Sequence, residues 1–257
     1  MQCKLLADYF GMTKDPSSCI MFVMGFYNSG NLYEYLNNTF GVLCWRDIID
    51  ILLSISAGIK FIHENNLIHG NLHGGNILIE DDAEMEGIEA RISDSGLNVF
   101  VNECGLTNKI YGVVPFIAPE IFHGKSLTNK SDIYSFGMIM WMLSAGVRPY
   151  NDRAHNESLM HEICQGLRPQ VIYGTPQVFA KLMSKCLDDN PLNRPTALQI
   201  YDTLDKWDRE INEPEDNDLT LQFDSAEEIR FVNFKPSIQI NHNDAIYHSR
   251  IFEIKLN

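Results

Sequence analysis

The sequence predicts an α+β chain that is mainly helical, with a few short strands collected near its start. Three observations lead there. Ile48, Ile51, Leu52, Ile55, Ile59 and Ile62 recur at a helical period and make one apolar stripe. Residues 132–145 are apolar nearly all round, which implies a helix buried at the centre of a fold. Two later stretches, 178–187 and 197–211, each carry an apolar face at the same period.

Taken in order, residues 5–13 and 20–26 read as two short strands. The turn residues Lys14-Asp-Pro-Ser-Ser18 separate them. Asn31-Leu-Tyr-Glu34 resembles a capping box ahead of a short helix. The isoleucine helix follows. Residues 69–76 are polar and glycine-rich, so they form a loop, and residues 77–79 and 90–92 are short strands around an acidic turn. From 93 to Pro119 the pattern predicts loop. Thr175-Pro176 reads as a cap with proline at the first helical position, and Thr196-x-x-Gln199 as the box opening the last strong helix. Beyond Asn212 the period fades. Glu213, Glu215, Asp216 and Asp218 read as a solvated linker, residues 226–234 as one more short helix, and 241–257 as unassigned.

Composition narrows the function. The chain has 257 residues, 45% apolar and 21% charged, enough to bury a core. Its 34 acidic and 20 basic residues give a net charge of −14, which disfavours a general nucleic-acid or anionic-membrane binder. Cysteines 3, 19, 44, 104, 164 and 186 show no Cys-x-x-Cys pair and no zinc spacing. The opening residues do not read as a secretory leader, and the longest apolar run, 134–147, is too short to span a bilayer. The expected setting is cytoplasmic and reducing.

The motifs carry a resemblance. His69-Gly-Asn-Leu-His-Gly-Gly-Asn76 resembles the catalytic loop of protein kinases, His-Arg-Asp-Leu-x-x-x-x-Asn. Asp94-Ser-Gly96 stands where Asp-Phe-Gly is expected, and Ala118-Pro-Glu120 is similar to the family's Ala-Pro-Glu. Asp132-Ile-Tyr-Ser-Phe-Gly137, Gly146-Val-Arg-Pro-Tyr150 and the Cys186 to Arg194-Pro195 stretch follow in the family's order. The chain therefore resembles the protein kinase superfamily, in its tyrosine-kinase-like group, which mostly phosphorylates Ser/Thr. His73 matches neither the lysine of Ser/Thr kinases nor the alanine of tyrosine kinases. The implied fold is protein-kinase-like: mainly the helical C-lobe, with a remnant of the N-lobe sheet. Its implied parts are 1–26 as that remnant, 27–211 as the C-lobe, and 212–257 as an acidic tail.

The resemblance implies roles residue by residue. Asn71 takes the catalytic Asp position, flanked by His69 and His73. Asn76 and Asp94 would be magnesium ligands, oxygen donors suited to a hard cation on ATP phosphates. Met24, Gly25, Phe26 and Tyr27 would form the hinge side of the adenine slot, with Leu78 beneath it. Glu120 and Arg194 would be a structural pair. Asp132 would anchor the His69 loop, or serve as a plain helix N-cap. Tyr111, where an activation segment docks substrate, is a candidate phosphosite.

Three departures weaken the implied chemistry. An amide at Asn71 cannot accept the substrate proton as a carboxylate does, and losing general-base action costs on the order of 10²–10⁴ in rate. Ser95 cannot fill the volume of the family's Phe. No glycine-rich loop and no Val-Ala-x-Lys precede Met24, so the Lys–Glu pair needed for transfer is not in evidence. Gly70 also replaces an arginine that grips a phosphorylated loop. ATP and magnesium are thus the implied cofactors, with binding weakened, and a protein is the implied partner or substrate. The expected function is a kinase-like, pseudokinase-type binding module in signalling. The alternatives are an active kinase whose upstream lobe is supplied elsewhere, and a decaying duplicate.

Overall fold

The computed structural model describes residues 5–39, 41–81, 87–94, 109–212, 217–233 and 241–253. Strands β1 (Tyr9–Lys14) and β2 (Ile20–Met24) form an antiparallel hairpin. Its turn is held by Asp15, whose carboxylate accepts the Cys19 N–H at 2.8 Å. Residues 5–7 do not join β1 as the pattern suggests. They run beside β4 (Glu89–Ile92), where the Ala7 N–H reaches the Ile92 carbonyl at 2.8 Å. The hairpin's apolar side chains Phe10, Met12, Ile20 and Phe22 are exposed.

Helix α1 (Leu32–Asn38) opens on the expected capping box. Asn31 Oδ1 accepts the N–H of Tyr33 and Glu34, while Glu34 returns to the Asn31 N–H at 3.1 Å. Helix α2 (Trp45–Glu64) carries the isoleucine stripe, and Ile48, Ile51, Leu52, Ile55, Ile59 and Ile62 are all buried. Strand β3 (Ile77–Glu80) pairs antiparallel with β4, and this hairpin sits on α2. A four-residue strand, β5 (Lys109–Gly112), interrupts the region that reads as loop.

A short helix, α3 (Pro119–Phe122), precedes α4 (Asn129–Ala145), whose residues from Ser131 to Ser144 are all buried. Helix α4 starts earlier than the apolar run, because Thr128 and Ser131 bond reciprocally and set the first turn. The N-cap alternative for Asp132 therefore fails, and its carboxylate is free to face another element. Gly146 ends α4 in the left-handed region (φ 68), close against Gly41 (φ 72). A β-carbon on Gly146 would lie 2.3 Å from the Gly41 carbonyl oxygen, so only glycine allows this approach.

Helices α5 (Glu157–Cys164), α6 (Gln177–Cys186) and α7 (Ala197–Asn212) complete the lobe. Thr175 does not cap α6. Pro176 holds that position with no side-chain bond, and the helix begins one residue later. Thr196 and Gln199 do form their box ahead of α7. Helix α7 packs along α2, and Trp45, Phe179, Trp207 and Phe223 meet edge to face or tilted at 5.0–6.5 Å.

The chain past Asn212 is more ordered than its composition suggests. The helix expected at 226–234 is α8 (Asp218–Asn233), 16 residues long, and Asp218 starts it instead of belonging to a linker. Glu213, Glu215 and Asp216 lie outside the described residues. Helix α8 docks through Leu219, Phe223 and Ala226, and Arg230 donates to the carbonyls of Gly41, Leu143 and Ser144. The stretch 241–253 runs back across the lobe and ends in β6 (Arg250–Glu253), antiparallel to β5. No described helix is long and apolar enough to cross a membrane.

Candidate functional site

The loop 69–76 is fixed from below. Asp132, buried in the first turn of α4, accepts the His69 N–H at 2.9 Å through one carboxylate oxygen and the Gly70 N–H at 2.8 Å through the other. His63 Nε2 meets the same carboxylate at 2.9 Å. Gly70 (φ 74) takes a left-handed turn there. His69 is fully buried. Its Nε2 faces the Ser93 carbonyl at 2.9 Å, an acceptor only, so that nitrogen carries the proton. Nδ1 is then left to accept the Asn71 N–H at 3.2 Å.

Asn71 is held at three points. Besides its N–H, its carbonyl accepts the Asn76 amide at 3.0 Å, and its own Nδ2 donates to Ser249 Oγ at 2.8 Å. His73 reaches the same oxygen. Its Nδ1 accepts the Gly75 N–H at 3.0 Å, which puts the proton on Nε2, 2.9 Å from Ser249 Oγ. The ring stacks near Tyr33, with centroids 6.0 Å apart. Burial first, and then the neighbouring His69, push the His73 imidazole down to about 3. It is therefore neutral at pH 7.

This neutrality has a pH signature. An unfolded histidine titrates near 6.5. Between about 6.5 and about 3 the unfolded chain holds a proton that native His73 does not. Its contribution to stability is therefore complete above the unfolded value and lost as pH falls through that window. Proton NMR is expected to show the His73 ring resonances unmoved from pH 8 to pH 5. A midpoint near 6.5 would contradict the buried geometry.

Asn76 and Asp94 are joined through Ser93. The Ser93 N–H and hydroxyl both donate to the Asn76 carbonyl, at 2.9 and 3.2 Å. Asp94 follows directly in a left-handed conformation (φ 58). Tyr9 of the hairpin donates its hydroxyl to the Asp94 carboxylate at 3.1 Å and accepts the Asp94 N–H at 3.0 Å. Ser95 and Gly96 lie outside the described residues. Among the described residues no cluster of three or more His, Cys, Asp or Glu could hold a metal by itself. An amide and a carboxylate still fit magnesium chemistry, since that ion takes one or two protein oxygens and completes its shell with phosphates and water. Asn76 and Asp94 are the residues that would hold it, and the ion would neutralise phosphate charge.

The hinge residues bond to the backbone of Asp8, just ahead of β1. Met24 and Gly25 are half-buried, and the Gly25 N–H donates to the Asp8 carbonyl at 2.8 Å. Phe26 is 89% exposed, whereas Tyr27 is buried, its hydroxyl accepting the Asp8 N–H at 3.0 Å. Leu78, half-buried, bridges to Asn31, and the Ile79 N–H reaches the Gly30 carbonyl at 2.9 Å. Residues 30 and 31, just past the hinge, are thus what meets β3. Glu120 and Arg194 meet as a bidentate pair at 2.7 and 2.8 Å, with Arg194 wholly buried. Tyr111 is half-buried in β5, opposite Ile251.

Sequence reasoning missed Ser249, Tyr9 and Tyr247. The last is buried beside Tyr33 and His155. The one sequence signal in 241–253 is an Asn-His-Asn-Asp turn followed by a few apolar residues, too brief to carry a period.

The family described as protein tyrosine and serine/threonine kinase matches residues 1–204. The chain is similar to the serine/threonine-protein kinase STY17 of Arabidopsis thaliana, 27% identical over 79% of this chain and 34% of that protein. It is also similar to the serine/threonine/tyrosine-protein kinase HT1 of Arabidopsis thaliana, 27% identical over 78% of this chain and 50% of the relative. The dual specificity protein kinase zakA of Dictyostelium discoideum is 30% identical over 73% of this chain and 25% of that protein. The chain therefore spans between a quarter and a half of these relatives. Kinases of this family generally use ATP and magnesium and act on proteins. The chain belongs to the protein tyrosine and serine/threonine kinase family, in the tyrosine-kinase-like group of the protein kinase superfamily.

Proposed function

We propose that the chain is a pseudokinase-type protein-binding module, impaired in phosphate transfer. Residues 27–211 act as the large lobe, 1–26 as a remnant of the small lobe, and 212–257 as a tail. One observation carries this reading. The side chain at the catalytic position, Asn71, donates an N–H to a hydroxyl oxygen, where transfer requires a group that accepts the hydroxyl proton. His73 cannot substitute, because its Nδ1 is taken by Gly75 and its Nε2 also donates. Magnesium and ATP, if bound, would rest on Asn76, Asp94, the hinge residues Met24 to Tyr27, and Leu78. The chain would work on the protein side of signalling, in the cytoplasm.

The test is incubation of purified chain with magnesium, labelled ATP and a generic protein acceptor. The expected result is background incorporation. Label that rises with time and disappears in Asp94→Ala would instead make the chain an active enzyme, the second reading. That reading draws on the relatives' printed names as kinases and on the retained Asn76 and Asp94.

A further inference from the structure

The segment 241–253 passes through the site. Its anchors are specific. The His242 N–H donates to the Asn151 carbonyl at 2.7 Å, and the His155 N–H to the Asp244 carbonyl at 3.0 Å. Tyr247 is buried, with its hydroxyl on the Pro149 carbonyl at 2.9 Å and its ring 4.8 Å from that of His155. Strand β6 then adds antiparallel to β5, Arg250 opposite Gly112 and Ile251 opposite Tyr111. Gly112 lies beside Asn71: a β-carbon there would be 3.4 Å from the Asn71 amide oxygen. Ser249, one residue ahead of β6, is thereby delivered to Asn71 and His73.

We propose that β5 and the Asn71–His73 pair form a peptide groove for an extended segment bearing serine, and that residues 241–253 occupy it in cis as an internal pseudosubstrate. The proposal rests on the reading of Asn71 as the acceptor-side residue. Main-chain pairing supplies affinity, and the two side chains on Ser249 Oγ, Asn71 and His73, supply specificity, as side-chain sites do in strand addition generally. The two donors meet a short hydroxyl. Ser249 Oγ is one bond from its β-carbon, whereas a tyrosine on the same backbone would carry its hydroxyl several bonds farther, past both donors. The segment's own tyrosine, Tyr247, is instead buried as a packing anchor. The two groups facing Ser249 Oγ both donate, so neither draws off its proton. The serine is held and left unreacted.

Hydrogen exchange on the full chain tests this. Native protein is expected to protect the amides of 109–112. Ile251→Pro fixes φ away from strand geometry and distorts β6, and should speed exchange there about tenfold or more. The buried amides of α4 stay protected and report an intact lobe. Ser249→Trp, which contains no strand breaker, should give the same local loss by removing the hydroxyl that Asn71 and His73 hold and putting a bulky ring in its place. A synthetic peptide of residues 241–253 should restore protection to either variant, and the same peptide with Ser249→Trp should not. Unchanged protection at 109–112 in both variants would overturn the proposal, as would equal rescue by the two peptides. Phosphate incorporation, measured separately, would sink the pseudokinase reading without altering these exchange rates.

Discussion

Arg194→Ala is expected to destabilise the lobe by about 3–5 kcal/mol, the usual cost of stripping one partner from a buried ion pair. Arg194 is wholly buried and bonds Glu120 through two N–H groups. It also donates to the carbonyls of Asp188 and Lys130, and lies 5.2 Å from the Tyr134 ring centre. Its loss leaves a carboxylate and two carbonyls without their donor in the interior. Arg194→Lys is expected to rescue only part of the loss, because an ammonium cannot supply the planar fork. Chemical denaturation followed by far-UV circular dichroism reads the difference. A midpoint within experimental error of the native chain would mean that α3 and the segment around Arg194 are not tied through this pair.

Asp132→Ala is expected to cost about 3 kcal/mol, and its signature is local. Hydrogen bonds to charged groups contribute about 1.5–3 kcal/mol each, and a buried N–H left alone costs about 1–3 kcal/mol. Here the amides of His69 and Gly70 both lose their acceptor, and His63 loses its partner. The loop should loosen while the rest of α4 holds. Hydrogen exchange is expected to accelerate at 69–71 more than in α4. Uniform acceleration would argue that Asp132 serves the helix and not the loop.

Much of this was legible from the residues. The isoleucine stripe, the all-apolar central helix and the boxes at Asn31 and Thr196 are local patterns, and each is realised locally. The motif order placed His69 to Asn76 and Asp94 in adjoining segments, and Ser93 joins them. Apart from the cap misplaced at Thr175, what failed was non-local. Strand β5 is four residues long and finds its partner some 140 positions later, so neither segment announces the pairing. Helix α8 carries Leu219, Phe223 and Ala226 on one face, but exposed Leu221, Phe231 and Val232 blur the period. Residues 5–7 are apolar because they lie along β4, which a reading of β1 alone cannot reveal.

The β1–β2 ribbon has a practical consequence. Its aromatic and aliphatic groups meet water on either side, and each rim offers main-chain donors and acceptors. Such ribbons recruit neighbours by edge growth. In concentrated preparations of the isolated chain, colloidal behaviour will be governed by these dozen or so residues and not by the well-filled interior. Light scattering that climbs with protein concentration should therefore fall when a lysine replaces Phe10 or Phe22.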